Sequence, residues 1–83
     1  MAIVTALHKG TRSLRRHPTS VDAEFQVVTD DVGKRFFQLS TFGSEVRQSE
    51  RKVSQTIQLD EAAASELLVA LCDAFPSLRP DKS

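Results

Sequence analysis

Eighty-three residues with 40% hydrophobic content and no Trp or Tyr give one domain with a modest core, for which oligomerisation is a natural way to add apolar burial. The charges cancel to a formal net of zero, and no apolar run approaches the roughly 20 residues of a membrane span. Cys72 is the only cysteine, which excludes an intrachain disulfide and a cysteine-based metal site.

Taken in chain order, residues 2–7 (AIVTAL) read as a short strand that a terminus leaves free to fray. Basic residues follow this very short apolar run, the reverse of a secretory signal. The location expected is therefore intracellular and cytoplasmic, with nucleoid association as a variant. Residues 8–20 hold Gly10, Pro18 and several hydroxyl residues and read as a loop or basic arm, in which Arg12, Arg15 and Arg16 suit phosphate contact. Simple solvation of those arginines is the plainer alternative.

Residues 23–29 (AEFQVVT) alternate Ala23, Phe25 and Val27 against Glu24 and Gln26, the period of a half-buried strand. Asp30, Asp31, Val32 and Gly33 have turn chemistry, with Gly33 available for positive φ. Residues 35–42 (RFFQLSTF) form the next strand, and the short connection makes the two an antiparallel hairpin. Residues 43–52 (GSEVRQSERK) are polar and charged, a longer connection or the tip of a β-ribbon.

At Asp60 the hydrophobic period changes from two to about 3.6. Before it, Val53, Ile57 and Leu59 alternate with Ser54, Thr56 and Gln58, and Gln55 is the one polar residue on the apolar side. After it, Ala64, Leu67, Leu68, Leu71 and Phe75 form one stripe of a helix over 60–75. Asp60 is the predicted N-cap, the run of alanines at 62–64 favours helix, and Pro76 ends it. Leu78 is placed to fold back on the helix end, and the chain finishes in a polar tail. The organisation expected is a single domain over 1–83: an N-terminal strand and basic arm (1–22), an antiparallel sheet (23–59), the helix (60–75) and a tail (76–83). The fold class is α+β, a twisted antiparallel sheet of three to four strands with one C-terminal helix packed on one face.

Charge is segregated along this layout. Lys9, Arg12, Arg15 and Arg16 give residues 1–21 a net +4 with no acid. Lys34, Arg35, Arg47, Arg51 and Lys52 against Glu45 and Glu50 give residues 34–52 a net +3. Asp60, Glu61, Glu66 and Asp73 give residues 60–75 a net −4 with no base. An acidic helix thus faces two basic segments, a polarity that the total conceals.

Alternation sorts the sheet into two faces. One is apolar, with Phe25, Val27, Phe37, Leu39, Val53, Ile57 and Leu59, and is expected to lie under the helix stripe. The other collects Gln26, Gln38, Ser40, Ser54, Thr56 and Gln58, with Phe36 and Phe42 among them. A hydrogen-bonding face with isolated aromatics and flanking Arg and Lys is the kind of platform on which unpaired bases stack. The alternative is that the N-terminal segment or a partner chain covers Phe36 and Phe42. Catalytic constellations are not evident: His8 and His17 have no metal or triad spacing, Asp30 and Asp31 belong to a turn, and Cys72 sits mid-helix as a small hydrophobe. No enzyme, cofactor or metal is expected.

The order strand, strand, charged connection, strand, helix, and most closely KVSQTIQLDEAAASELLVAL at 52–71, resembles the positive-cofactor-four family of transcriptional coactivators over about residues 24–75. The resemblance implies a homodimer whose β-ribbons bind single-stranded DNA with little sequence preference through basic and aromatic side chains. It places Arg35, Phe36, Phe42, Arg47, Arg51 and Lys52 on the ribbon. The expected function is binding of single-stranded DNA or RNA, in transcription or DNA metabolism, with Gln38 and the arm arginines Arg12, Arg15 and Arg16 added to that set. The alternative is a homodimeric protein–protein interaction module with no direct nucleic-acid role. Val69 and Ala70, apolar residues off the main helix stripe, give a second chain something to cover.

Overall fold

A computed structural model describes residues 1–43 and 52–80. Four strands, β1 (Ala2–Val4), β2 (Ala23–Thr29), β3 (Arg35–Phe42) and β4 (Val53–Leu59), precede α1 (Glu61–Ala74) and a 3₁₀ turn at Pro76–Leu78. The fold is α+β, and β2, β3 and β4 begin and end where their alternation predicts. The sheet order is β1-β4-β3-β2.

The β2–β3 hairpin closes on Asp30, whose carboxylate Oδ1 accepts from the backbone N–H groups of Val32 (3.0 Å) and Lys34 (2.9 Å). Gly33 supplies the left-handed residue of the turn, at φ 87°. β3 pairs antiparallel with β2 and β4, whereas β1 joins β4 in parallel, so the whole sheet is mixed. Parallel pairing explains the long arm. β1 ends beside Leu59, and β2 starts beside Thr41 at the opposite end of the far edge, so residues 5–22 must return along the sheet and cross it.

Directly paired residues share a face, so the registers can be read as rows. Val27, Phe37, Leu59 and Val4 make one apolar row, and Phe25, Leu39, Ile57 and Ala2 the next. On the opposite face Gln26, Gln38, Gln58 and Ile3 make a row, followed by Glu24, Ser40 and Thr56. Val53 departs from its expected place. The register slips between Thr41 and Phe42, so that Phe42 pairs with Val53 while Thr41 pairs with Gln55. Ser54 is the extra residue of a β-bulge, and the bulge moves Val53 beside Phe42 and out of the apolar row.

Asp60 alone separates β4 from α1. Its Oδ1 accepts from the N–H of Ala63 at 2.8 Å, the predicted N-cap, while its own N–H donates to the carbonyl of Val4. The junction is thus held by β1 as well as by the cap. With one residue to turn in, α1 engages the sheet at its start: Leu59 and Ala63 are 3% and 0% exposed. Farther along, Leu68, Leu71 and Phe75 stand in solvent, and on the sheet Phe25 and Val27 are 66% and 62% exposed. The helix stripe is where its periodicity predicts, but it does not cover the apolar face of its own sheet.

Candidate nucleic-acid interface

The polar face is tied together across strands. Gln58 Nε2 donates to Gln38 Oε1 at 2.9 Å, and the Ser40 and Thr56 hydroxyls are 3.0 Å apart. Ser40 lies at the centre of β3 with only 3% of its surface exposed, so its hydroxyl depends on Thr56 for a partner. These pairs orient the amides and hydroxyls and tie β3 to β4.

Phe36 and Phe42 stand at the two ends of this face, six residues apart on β3 and so about 20 Å from one another. Both are half-buried, between the exposed platform and the covered core that the sequence leaves open. They are held differently. Phe36 pairs across with Val28, and the Lys34 ammonium stands 5.5 Å from its ring centroid, within cation–π range. Phe42 sits beside the end of the arm: its N–H donates to the carbonyl of Asp22 at 3.2 Å, and it lines a cleft with His17, Thr19 and Val21.

Arg35 is exposed at the start of β3, next to Lys34. Lys52 is exposed at the other end of the sheet, where its carbonyl accepts from the N–H of Gly43 at 3.0 Å. Cations therefore lie beyond both ends of the row from Phe36 to Phe42, with Asp30 and Asp31 in the hairpin turn beside Lys34 and Arg35. Arg12, Arg15 and Arg16 are exposed on the arm between β1 and β2. Arg47 and Arg51 lie outside the described residues. Glu24 shares the polar face and is the one acid on it among the described strand residues.

Lys34 is the residue that sequence reasoning missed as part of the site. Its signal was the two-residue spacing to Phe36, which puts both side chains on the same side of an extended segment. Among the described residues no group of three or more His, Cys, Asp or Glu could hold a metal ion, and no helix is long and apolar enough to cross a membrane. Cys72 is a half-buried free thiol on α1. No protein-family model matches the chain, and neither a curated protein nor a solved structure matches it significantly.

Proposed function

We propose that this domain binds single-stranded nucleic acid without catalysing a reaction on it, with the polar sheet face as the platform. The observation that carries the reading is the position of Phe36 and Phe42 on a face of paired Gln, Ser and Thr side chains, with Lys34 and Arg35 beyond one end and Lys52 beyond the other. Half-buried rings on such a face offer stacking surface to bases of any sequence, while the amides and hydroxyls meet base edges. The cations neutralise phosphates at either end, and Arg12, Arg15, Arg16, Arg47 and Arg51 extend that charge. The resemblance to the positive-cofactor-four coactivators points the same way.

The test is fluorescence anisotropy with labelled single-stranded and duplex oligonucleotides over a series of salt concentrations. Preference for the single strand, with affinity falling steeply as salt rises, is the expected result. No binding at low salt refutes the reading.

A second reading has its own support. The exposed Phe25, Val27, Leu68 and Phe75 favour a homodimeric interaction module. Its apolar surface lies on the opposite side of the sheet from the polar platform, so one molecule can do both.

A further inference from the structure

We infer that the helix of one copy of this chain packs on the open apolar sheet face of a second copy, and that the second helix packs on the first sheet, in a two-fold dimer. The inference rests on the dimer reading and adds which surfaces meet. It does not depend on nucleic-acid binding.

The single chain is far from closed. Its accessible surface is 7505 Å², against roughly 4,900 Å² for a compact monomer of its mass. Its radius of gyration is 15.5 Å, against about 12 Å for a compact chain of this length. The extended arm accounts for part of the surplus. An ordinary interface removes about 800 Å² from each partner, well within the whole surplus.

Among the described residues two apolar surfaces lack a cover, and they are complementary in kind. Leu68, Leu71 and Phe75, at i, i+3 and i+7, form a helical ridge with no sheet beneath it. Phe25, Val27 and Ile57 belong to the part of the apolar sheet face that α1, engaged at Leu59, leaves exposed. Within one chain the one-residue junction at Asp60 brings α1 onto the sheet at Leu59 and Ala63 and leaves these two surfaces exposed. A second copy brings the same ridge and the same face, so a single two-fold axis satisfies both at once.

Size agrees. Fourteen helical residues span about 21 Å, and the seven residues of β2 or β4 span about 23 Å. The helix segment carries only acids, and the hairpin end of the sheet balances Lys34 and Arg35 against Asp30 and Asp31, so no net like charge opposes the contact there.

The experiment uses the unmodified full chain. Sedimentation equilibrium at micromolar concentration should give twice the 9.2 kDa chain mass, and a 9.2 kDa species overturns both the dimer and this arrangement. Mixing isotope-labelled with unlabelled protein then allows isotope-filtered NOE spectra, in which Leu68 and Leu71 methyls should show contacts between chains to Phe25 and Val27. A doubled mass without those contacts leaves a dimer standing and refutes the helix-on-sheet arrangement. As a further check, Leu68→Lys and Val27→Glu should each abolish the dimer alone, and mixing the two should restore the doubled mass through one Lys–Glu contact and one unaltered contact. Loss of the dimer in Leu68→Lys with none in Val27→Glu, indicating helix against helix, also overturns the inference.

Discussion

The rings of Phe25 and Phe37 stack across β2 and β3 with centroids 5.4 Å apart and planes 18° from parallel, yet Phe25 is two-thirds exposed. A stacked pair at the edge of an open face contributes little while one side is wet. Covered by a second chain, the same ring is core. Phe25→Ala should therefore cost about 3 kcal/mol or more of stability, and unfolding by denaturant should shift to lower midpoint most strongly at low protein concentration. A loss below about 1 kcal/mol at every concentration would mean that Phe25 remains at a water-exposed surface.

On the opposite face, Phe36→Ala should weaken binding of a single-stranded oligonucleotide by about 1–3 kcal/mol. Its effect on thermal stability should be smaller than that of Phe37→Ala or Leu39→Ala, which remove side chains from the apolar rows. Phe42→Ala should affect binding similarly and stability somewhat more, because the end of the arm lies against that residue. If Phe36→Ala destabilises the fold more than Phe37→Ala does, the two faces have been assigned the wrong way round.

Replacing Arg47, Arg51 and Lys52 together with alanine should lower affinity for single strands. The slope of log affinity against log salt should fall by about two, at roughly 0.7 for each phosphate that is no longer neutralised. Circular dichroism should be little changed, because Lys52 is exposed and Arg47 and Arg51 belong to the polar, charged stretch of sequence between β3 and β4. Unaltered binding in this variant, together with weaker binding in the Arg12, Arg15 and Arg16 triple variant, would move the electrostatic contact to the arm.

Asp60→Ala removes the acceptor for the Ala63 N–H at the point where strand becomes helix. The expected loss is about 0.5–2 kcal/mol, and Asp60→Asn should restore most of it, since asparagine caps nearly as well. Thermal unfolding followed by far-ultraviolet circular dichroism measures both. An unchanged melting temperature in Asp60→Ala would show that packing at Leu59 and Ala63 holds the junction without the cap.

Local patterns made much of this fold legible. The alternation around Phe25, Leu39 and Ile57 located three strands, and the change of period at Asp60 located the helix with its cap. What escaped was non-local or geometric. Nothing in AIVTAL distinguishes parallel pairing with β4 from antiparallel pairing, because the choice depends on where the arm must arrive. The bulge at Ser54 carries no glycine or proline, so Val53 kept an alternation that the real ladder breaks. The helix stripe revealed which residues want cover, but not that Leu68, Leu71 and Phe75 remain exposed in the folded chain. For the candidate site, the separation of Phe36 from Phe37 followed from a period of two, and the same period, carried one residue ahead of β3, puts Lys34 beside the Phe36 ring.

The position of β2 at the margin of the sheet has a consequence for handling the protein. Among the described strands it is an edge, so about half of its residues turn backbone N–H and C=O groups outward, and Glu24 is its only charged side chain, with no proline or lysine to block another strand. Unprotected margins of this kind recruit further strands and seed fibrils. Glu24 is thus the one charge guarding that edge, and a Glu24→Val substitution should bring on turbidity and thioflavin fluorescence in concentrated stocks.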